Sequence, residues 1–250
     1  MHRLFAVPLV VLTLFVLGVV LALMLPLSPG VAARAMTSPE TLFALRLSLL
    51  TSLAATAAAV LLGVPAGYFL ARNSFSGKAL LDSFLDLPLV MTPLIAGVGL
   101  LFLLGKDGLG GTLGHWGVHI LFTPWGAVVA QAFIAAPIIT RSSRAAFEGF
   151  SPRFEWAGAT LGLPPRQVFF RITLPMAGQG LLAGVVLAWA RAVGEFGATL
   201  MVAGATRFRT ETLPIAVYLN ITSGEMEIAL SAAWILMICG FSMVVLLKFL

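Results

Sequence analysis

The chain alternates long apolar stretches with short polar connections. Six of the stretches reach the length of roughly 20 residues that a helix needs to cross a bilayer. They cover residues 4–25, 41–71, 79–104, 124–147, 174–203 and 228–250. The alternating segments of about ten residues that are typical of a transmembrane barrel are absent from the sequence. The pattern therefore predicts an all-α polytopic membrane protein with six transmembrane helices.

The first apolar stretch follows a basic start and is longer than the apolar core of a signal peptide, which has about 7–15 residues. No small-residue cleavage pattern follows it. We therefore expect residues 1–41 to form a retained first span with its outer loop. Residues 42–247 then form the core of the protein.

Composition agrees with a membrane location. Of the 250 residues, 60% are hydrophobic and 10% are charged, and the mean hydropathy is +1.04. Soluble domains carry about 25% charged residues. The net charge of +5 comes from basic residues between apolar runs, so we do not expect nucleic-acid binding. The single cysteine, Cys239, can form neither an internal disulfide nor a cysteine-based metal site.

The distribution of Lys and Arg predicts the orientation, because cytoplasmic loops carry the excess of these residues. With the N-terminus inside, the inner side holds Arg3, Arg72, Lys78, Arg141, Arg144, Arg153, Arg166, Arg171 and Lys248. The outer side holds Arg34, Arg46, Lys106, Arg207 and Arg209, while Arg191 falls within a span. We therefore expect a multi-pass protein of the cell inner membrane with both termini in the cytoplasm.

The longest predicted inner loop, residues 148–173, interrupts two apolar stretches with helix signals of its own. Pro152 suits a first helical turn, and Gly162 suits the stop before Pro164. Glu155 near the start interacts favourably with the helix dipole. The residues alone leave two readings open. One is a small, close-approach surface on which a partner protein packs, and the other is an ordinary amphipathic surface helix.

The spacing Glu155-x-Ala157-x-x-Thr160-Leu161-Gly162, followed by Ile172-x-Leu174-Pro175, resembles the EAA loop of ABC importer permeases. The resemblance implies a type I importer fold, with a cytoplasmic coupling helix in loop 148–173 between helices 4 and 5. In that family the helix inserts into a cleft of the ATPase subunit. The docking residues implied here are Glu155, Ala157, Gly158, Thr160, Leu161, Gly162, Leu163 and Arg166.

A second polar group lies within the fifth predicted span. Arg191 and Glu195 are four residues apart and share a helix face, and Gly194 and Gly197 allow a local bend beside them. The pair is either a gate or cavity element or a structural link between helices. Four hydroxyl residues either line a pathway or pack between helices. These are Thr51, Ser52, Thr92 and Thr199.

Two stretches, "GEFGATLMVAG" and "TETLPIAVY", resemble the molybdate branch of these permeases, and related sulfate permeases share the "GEFG" pattern. The resemblance implies a homodimer around one pathway for a tetrahedral oxyanion, most closely molybdate or tungstate. It implies three further partners: a dimeric cytoplasmic ATPase that binds ATP and Mg, an extracytoplasmic oxyanion-binding protein, and membrane lipid. Alternatives are a sulfate or thiosulfate permease and, less favoured, a polytopic membrane enzyme or channel.

Motifs for catalysis by this chain are absent from the sequence. Lys78 and Lys106 each follow a glycine but lack the remainder of a phosphate-binding loop, and no zinc-protease or serine-hydrolase motif occurs. We therefore expect a transport subunit that is not an enzyme and binds no cofactor or metal of its own. ATP hydrolysis is expected in a partner subunit.

Overall fold

The computed structural model describes residues 2–25 and 29–249, and every regular element within these ranges is a helix. This confirms the predicted all-α class. The helices are α1 (His2–Met24), α2 (Pro29–Met36), α3 (Pro39–Arg72), α4 (Lys78–Val90), α5 (Pro93–Leu103), α6 (Leu109–His115), α7 (Pro124–Glu148), α8 (Arg153–Thr160), α9 (Pro165–Val168), α10 (Leu174–Val193), α11 (Gly197–Ala203), α12 (Leu213–Thr222) and α13 (Met226–Phe249). A π-helical turn, Phe169–Thr173, joins α9 to α10.

Four helical segments in the described part of the chain are long and apolar enough to cross a membrane. They are Val7–Met24, Pro39–Arg72, Pro165–Val193 and Met226–Phe249. The bent pair α4 and α5 makes a fifth if it is counted as one span. The predicted count of six is therefore not confirmed. Residue 250 of the predicted sixth span and residues 26–28 of the first outer loop lie outside the described residues.

The predicted third span, residues 79–104, is two helices that meet at 111°. Helix α4 ends at Val90, and α5 begins at Pro93 after Thr92, whose side chain accepts a hydrogen bond from the Ile95 N–H at 3.4 Å. Proline disfavours helical backbone in the residue before it, and threonine is a preferred N-cap. These local signals end one helix and start the next, so the predicted third span is a bent pair of helices.

The predicted outer loop 204–227 contains a buried helix, α12. Leu213, Ile215 and Ala216 in α12 are almost completely buried, and Leu213 and Ala216 pack against Ala44 and Ala232. A helix of 10 residues is too short to cross a bilayer. The length criterion therefore placed the segment in a loop, and the tertiary packing shows that it belongs to the core.

The centre of the molecule is the packing of α3 against α7. Small residues line this contact, including Ala59 on α3 and Ala135 on α7. A Cβ atom added to Gly67 of α3 would lie 2.7 Å from the Thr140 carbonyl oxygen and 2.9 Å from the Arg144 nitrogen. Small side chains permit this close approach of two backbones in a membrane protein.

Side-chain contacts define two ends of the molecule. At the first, Arg72 at the end of α3 contacts Glu155 of α8, and Asp82 of α4 contacts Arg144 of α7. We call this the α8 end. At the opposite end, Glu40 in the first turn of α3 accepts a hydrogen bond from Asn220 of α12 at 2.8 Å.

Candidate functional site

Helix α8 forms where the sequence predicts a helix, between Pro152 and Gly162. It has eight residues. Gly162 has φ +83°, and the N–H groups of Gly162 and Leu163 donate to the carbonyls of Ala159 and Gly158 at 3.0 and 3.2 Å. Glycine adopts this left-handed conformation without a steric penalty, so the stop is encoded locally.

The two faces of α8 have different surroundings. Gly158 is buried, and a Cβ atom there would lie 2.5 Å from Cδ1 of Ile172 in the π-helical turn. Glu155 is mostly buried as well. Large apolar side chains project outward from the other face, where Trp156 and Leu161 are 64% and 83% exposed. Ala157, Thr160, Gly162 and Arg166 are also exposed, whereas Leu163 is half-buried.

A bridge of hydrogen bonds joins α8 to the end of α3. The Arg72 guanidinium donates from Nε and Nη2 to Oε1 of Glu155, at 3.0 and 2.9 Å. The Tyr68 hydroxyl donates to Oε2 of Glu155 at 3.3 Å. From the sequence, Glu155 was expected to interact with the helix dipole and to take part in docking, and neither of its two partners was predicted. They lie more than 80 positions away in the chain, and no local pattern connects them.

Arg191 and Glu195 come together as their spacing predicts. Nη1 of Arg191 lies 2.6 Å from Oε2 of Glu195. Glu195 is 1% exposed, whereas its partner is 39% exposed. The other oxygen, Oε1, accepts a hydrogen bond from the Ala198 N–H at 3.0 Å and so caps the start of α11. The span is interrupted here, with Gly194 at the C-terminal end of α10. Glu195 therefore stabilises the break between α10 and α11, because it contacts Arg191 before the break and the Ala198 N–H after it.

The four hydroxyl candidates lie in different places. Thr51 donates to the Leu47 carbonyl at 2.9 Å, and Ser52 accepts from Nε1 of Trp189 at 3.0 Å, which links α3 to α10. Thr92 caps α5. The buried Thr199 hydroxyl has no hydrogen-bond partner among the described residues, and the same holds for both amide atoms of Gln131. Sequence reasoning missed Gln131, although a glutamine within an apolar stretch was an available signal.

A polar cluster at the opposite end, the Arg207 cluster, was also missed. It consists of Glu40, Arg207, Glu211, Asn220 and Glu225. The Arg207 guanidinium donates to Oδ1 of Asn220 at 3.2 Å and lies 3.8 Å from carboxylate oxygens of Glu40 and Glu225. Glu211 is fully buried and accepts from the Phe208 N–H at 3.0 Å. Burial is the main cause that raises the pKa of Glu211 to about 7.

These features define a class of protein: a helical, multi-pass membrane protein with closely packed spans and a short helix with an exposed apolar face at one end. The sequence profile of one family, described as the binding-protein-dependent transport system inner membrane component, matches residues 63–250. The chain belongs to this family. It is a multi-pass protein of the inner membrane and a transport component rather than an enzyme.

Curated relatives carry two substrate names. The molybdenum transport system permease protein ModB of Escherichia coli K12 is 43% identical over 177 residues, covering 68% of this chain and 77% of that protein. ModB of Mycobacterium tuberculosis is 40% identical over 197 residues, covering 78% and 75%. The sulfate transport system permease protein CysW of Synechocystis is 39% identical over 194 residues, covering 77% and 70%. The resemblance to ABC importer permeases is confirmed.

Solved structures share the fold. A chain of a bacterial alginate ABC transporter, crystallised with an alginate pentasaccharide-bound periplasmic protein, superposes with a TM-score of 0.72 at 17% identity. The superposition covers 98% of this chain and 92% of that one. A chain of an amino acid ABC transporter gives a TM-score of 0.59 at 16% identity, covering 84% and 92%.

Proposed function

We propose that this chain is the permease subunit of an ATP-driven molybdate importer, in which two copies surround one pathway. The observation that carries the proposal is the exposed apolar face of α8 at one end of a permease of this family. The permeases named for molybdenum, at 40% and 43% identity, support the substrate class. Tungstate has the same shape and charge and is expected to compete for the pathway.

The α8 face is the proposed docking surface for the cytoplasmic ATPase dimer, which binds ATP and Mg. Phe154, Trp156 and Leu161 are exposed on a helix that does not cross the membrane, and apolar side chains of this size favour a cleft in a partner. The exposed Arg153 and Arg166 flank them. Glu155 and Gly158 face the remainder of this chain rather than solvent, so their part in docking is to hold α8 in position. This chain requires no cofactor of its own.

The proposed orientation places the α8 end in the cytoplasm and the Arg207 cluster toward the extracytoplasmic binding protein. Nε1 of Trp234, in the first half of α13, donates to the Leu23 carbonyl at the end of α1 at 2.9 Å. Helix α13 begins beside Glu225 of the cluster. The start of α1 and the end of α13 therefore point toward the α8 end, which supports cytoplasmic N- and C-termini.

The interruption between α10 and α11 is the proposed gate. Arg191, Gly194, Glu195 and Thr199 lie there, and the partly exposed Arg191 guanidinium is the cation that a dianion would meet. Thr51, Ser52 and Thr92 remain candidates for the pathway lining. Each already makes a hydrogen bond within the chain, so lining the pathway requires these bonds to be shared or exchanged.

The test is molybdate uptake by proteoliposomes that contain this chain, its ATPase and its binding protein. Leu161→Asp places a charge on the exposed apolar face, and we expect uptake and ATPase capture to fall by about tenfold or more. The matched control is Ser76→Asp, an exposed position in the α3–α4 connection outside α8, which should retain both. Full uptake with Leu161→Asp would exclude docking through this face.

Sulfate is the second candidate substrate, because the Synechocystis relative at 39% identity is a sulfate permease. Competition separates the two candidates. Excess tungstate should suppress molybdate uptake, and excess sulfate should leave it unchanged. Equal suppression by sulfate would replace the molybdate assignment with the sulfate one.

A further inference from the structure

The bridge between Glu155 and α3 engages both oxygens of one carboxylate. Arg72 supplies two N–H donors to Oε1, and Tyr68 supplies its hydroxyl to Oε2. The Arg72 and Glu155 side chains are only 12% and 11% exposed. Exposed ion pairs contribute little to stability, but a mostly buried carboxylate with several donors is held in one position.

Aromatic side chains fix the α3 side of this bridge. The Arg72 guanidinium lies over the Phe150 ring at 4.7 Å from its centroid. The Tyr68 ring meets Phe147 and Phe169 edge-on, with centroids 5.2 and 5.1 Å apart. Phe147 on α7 is completely buried. The donors to Glu155 therefore have little freedom, because α7 and the π-helical turn enclose them.

The bridge gives α8 a direct connection to the longest helix in the described part of the chain. Helix α3 has 34 residues and is therefore about 51 Å long. It runs from Arg72 at the α8 end to Glu40 in the Arg207 cluster at the opposite end. Elsewhere α8 packs against the π-helical turn through Gly158. Among the side-chain hydrogen bonds of the described residues, those of Glu155 join α8 to α3.

We propose that Arg72, supported by Tyr68, is the positioning residue that makes α3 follow the movement of α8 when the partner ATPase closes. This assignment rests on the proposed function, because α8 is the element that the ATPase moves. Without the bridge, α8 still binds the partner through its exposed face. Its displacement is then absorbed by the connection of residues 149–152 and does not reach α3.

The test compares Arg72→Gln, Glu155→Gln and the exchanged pair Arg72→Glu with Glu155→Arg in proteoliposomes that contain the ATPase and the binding protein. The readout is molybdate transported per ATP hydrolysed. We expect each single variant to assemble but to lose about fivefold or more in this ratio, and the exchanged pair to recover most of it. The matched control is Arg171→Gln, an exposed arginine of the π-helical turn, which should keep the ratio.

A merely structural role would reduce the amount of assembled complex, and uptake and ATPase activity would fall together with an unchanged ratio. That result would overturn the proposal, as would an unchanged ratio in complexes that assemble fully. Either outcome, with wild-type uptake intact, leaves the importer function standing.

A second measurement uses the purified permease alone. In Arg72→Gln, we expect amide hydrogen exchange in α8 to accelerate by about tenfold, with α10 unaffected, because α8 has lost its link to α3. Unchanged exchange would refute the link itself. Exchange in Arg72→Gln could be faster while the wild-type complex neither assembles nor transports molybdate. That combination would refute both the coupling role of Arg72 and the importer function.

Discussion

Helix α3 approaches α7 closely at Gly67, and one added methyl group tests this packing. In Gly67→Ala the new Cβ would lie 2.7 Å from Ser143 Cβ and from the Thr140 carbonyl oxygen, and 2.9 Å from the Arg144 nitrogen. Two of these three atoms belong to the backbone and cannot rotate away. Ordinary contact requires about 3.5 Å, so the helices must separate locally by roughly 0.5–1 Å.

The expected magnitude follows from two opposing terms. Overpacking a well-packed contact destabilises by about 1–3 kcal/mol, whereas Gly to Ala within a helix stabilises by about 1 kcal/mol. Gly178→Ala in α10 is the matched control, because nothing lies within 4 Å of its new Cβ. Both variants share the propensity gain, so the difference between them isolates the overpacking term. We expect Gly67→Ala to be less stable than Gly178→Ala by about 1–3 kcal/mol.

The assay is an SDS titration of the purified chain in mixed micelles, monitored by far-UV circular dichroism and tryptophan fluorescence. It gives the free energy of unfolding of both variants and of the wild type. Gly178→Ala should be as stable as the wild type or more so. If Gly67→Ala is as stable as Gly178→Ala, the close approach of α3 and α7 does not limit side-chain size. The account of the core as a close contact of small residues would then be wrong.

The helix interruption and the Arg207 cluster allow two further tests. Glu195→Ala removes the hydrogen-bond acceptor of the Ala198 N–H and the ion-pair partner of Arg191. We expect it to lower the free energy of unfolding by about 1–3 kcal/mol in the same SDS titration. Glu195→Gln should restore the hydrogen bond to the Ala198 N–H. Burial, with Glu40 nearby, raises the pKa of Glu211 from 4.5 to about 7. The folded chain then binds more protons than the unfolded chain, so stability should fall as pH rises from about 5 to 8, by at most about 3 kcal/mol.

Each of these tests has a contrary outcome. If Glu195→Ala is as stable as the wild type, Glu195 does not stabilise the break between α10 and α11. For the cluster, Glu211→Gln should abolish the loss of stability between about pH 5 and pH 8, because an amide does not titrate. If the stability of Glu211→Gln still falls by the full amount between about pH 5 and pH 8, another titratable group causes the pH dependence.

Features that depend on a few neighbouring residues could be predicted from the amino-acid sequence. Apolar stretches of span length predicted an all-helical membrane protein. Pro152 and Gly162 predicted where α8 begins and ends, and Gly194 marked the interruption after α10. These predictions hold because helix starts, stops and breaks depend on caps, proline and left-handed glycine within one or two turns. The spacing around Glu155 also indicated the family, because that motif is short and continuous in the sequence.

Contacts between residues that are far apart in the chain are visible only in the folded structure. It joined Glu155 to Arg72, assembled the Arg207 cluster around Asn220, and buried α12, which length alone had assigned to a loop. It also shows an angle of 111° between α4 and α5 where the hydropathy predicted one span, across a break that Thr92 and Pro93 make locally. Hydropathy measures the preference of a segment for an apolar environment, which lipid and a protein interior satisfy equally. The choice between them is made by packing against helices that are far away in the chain.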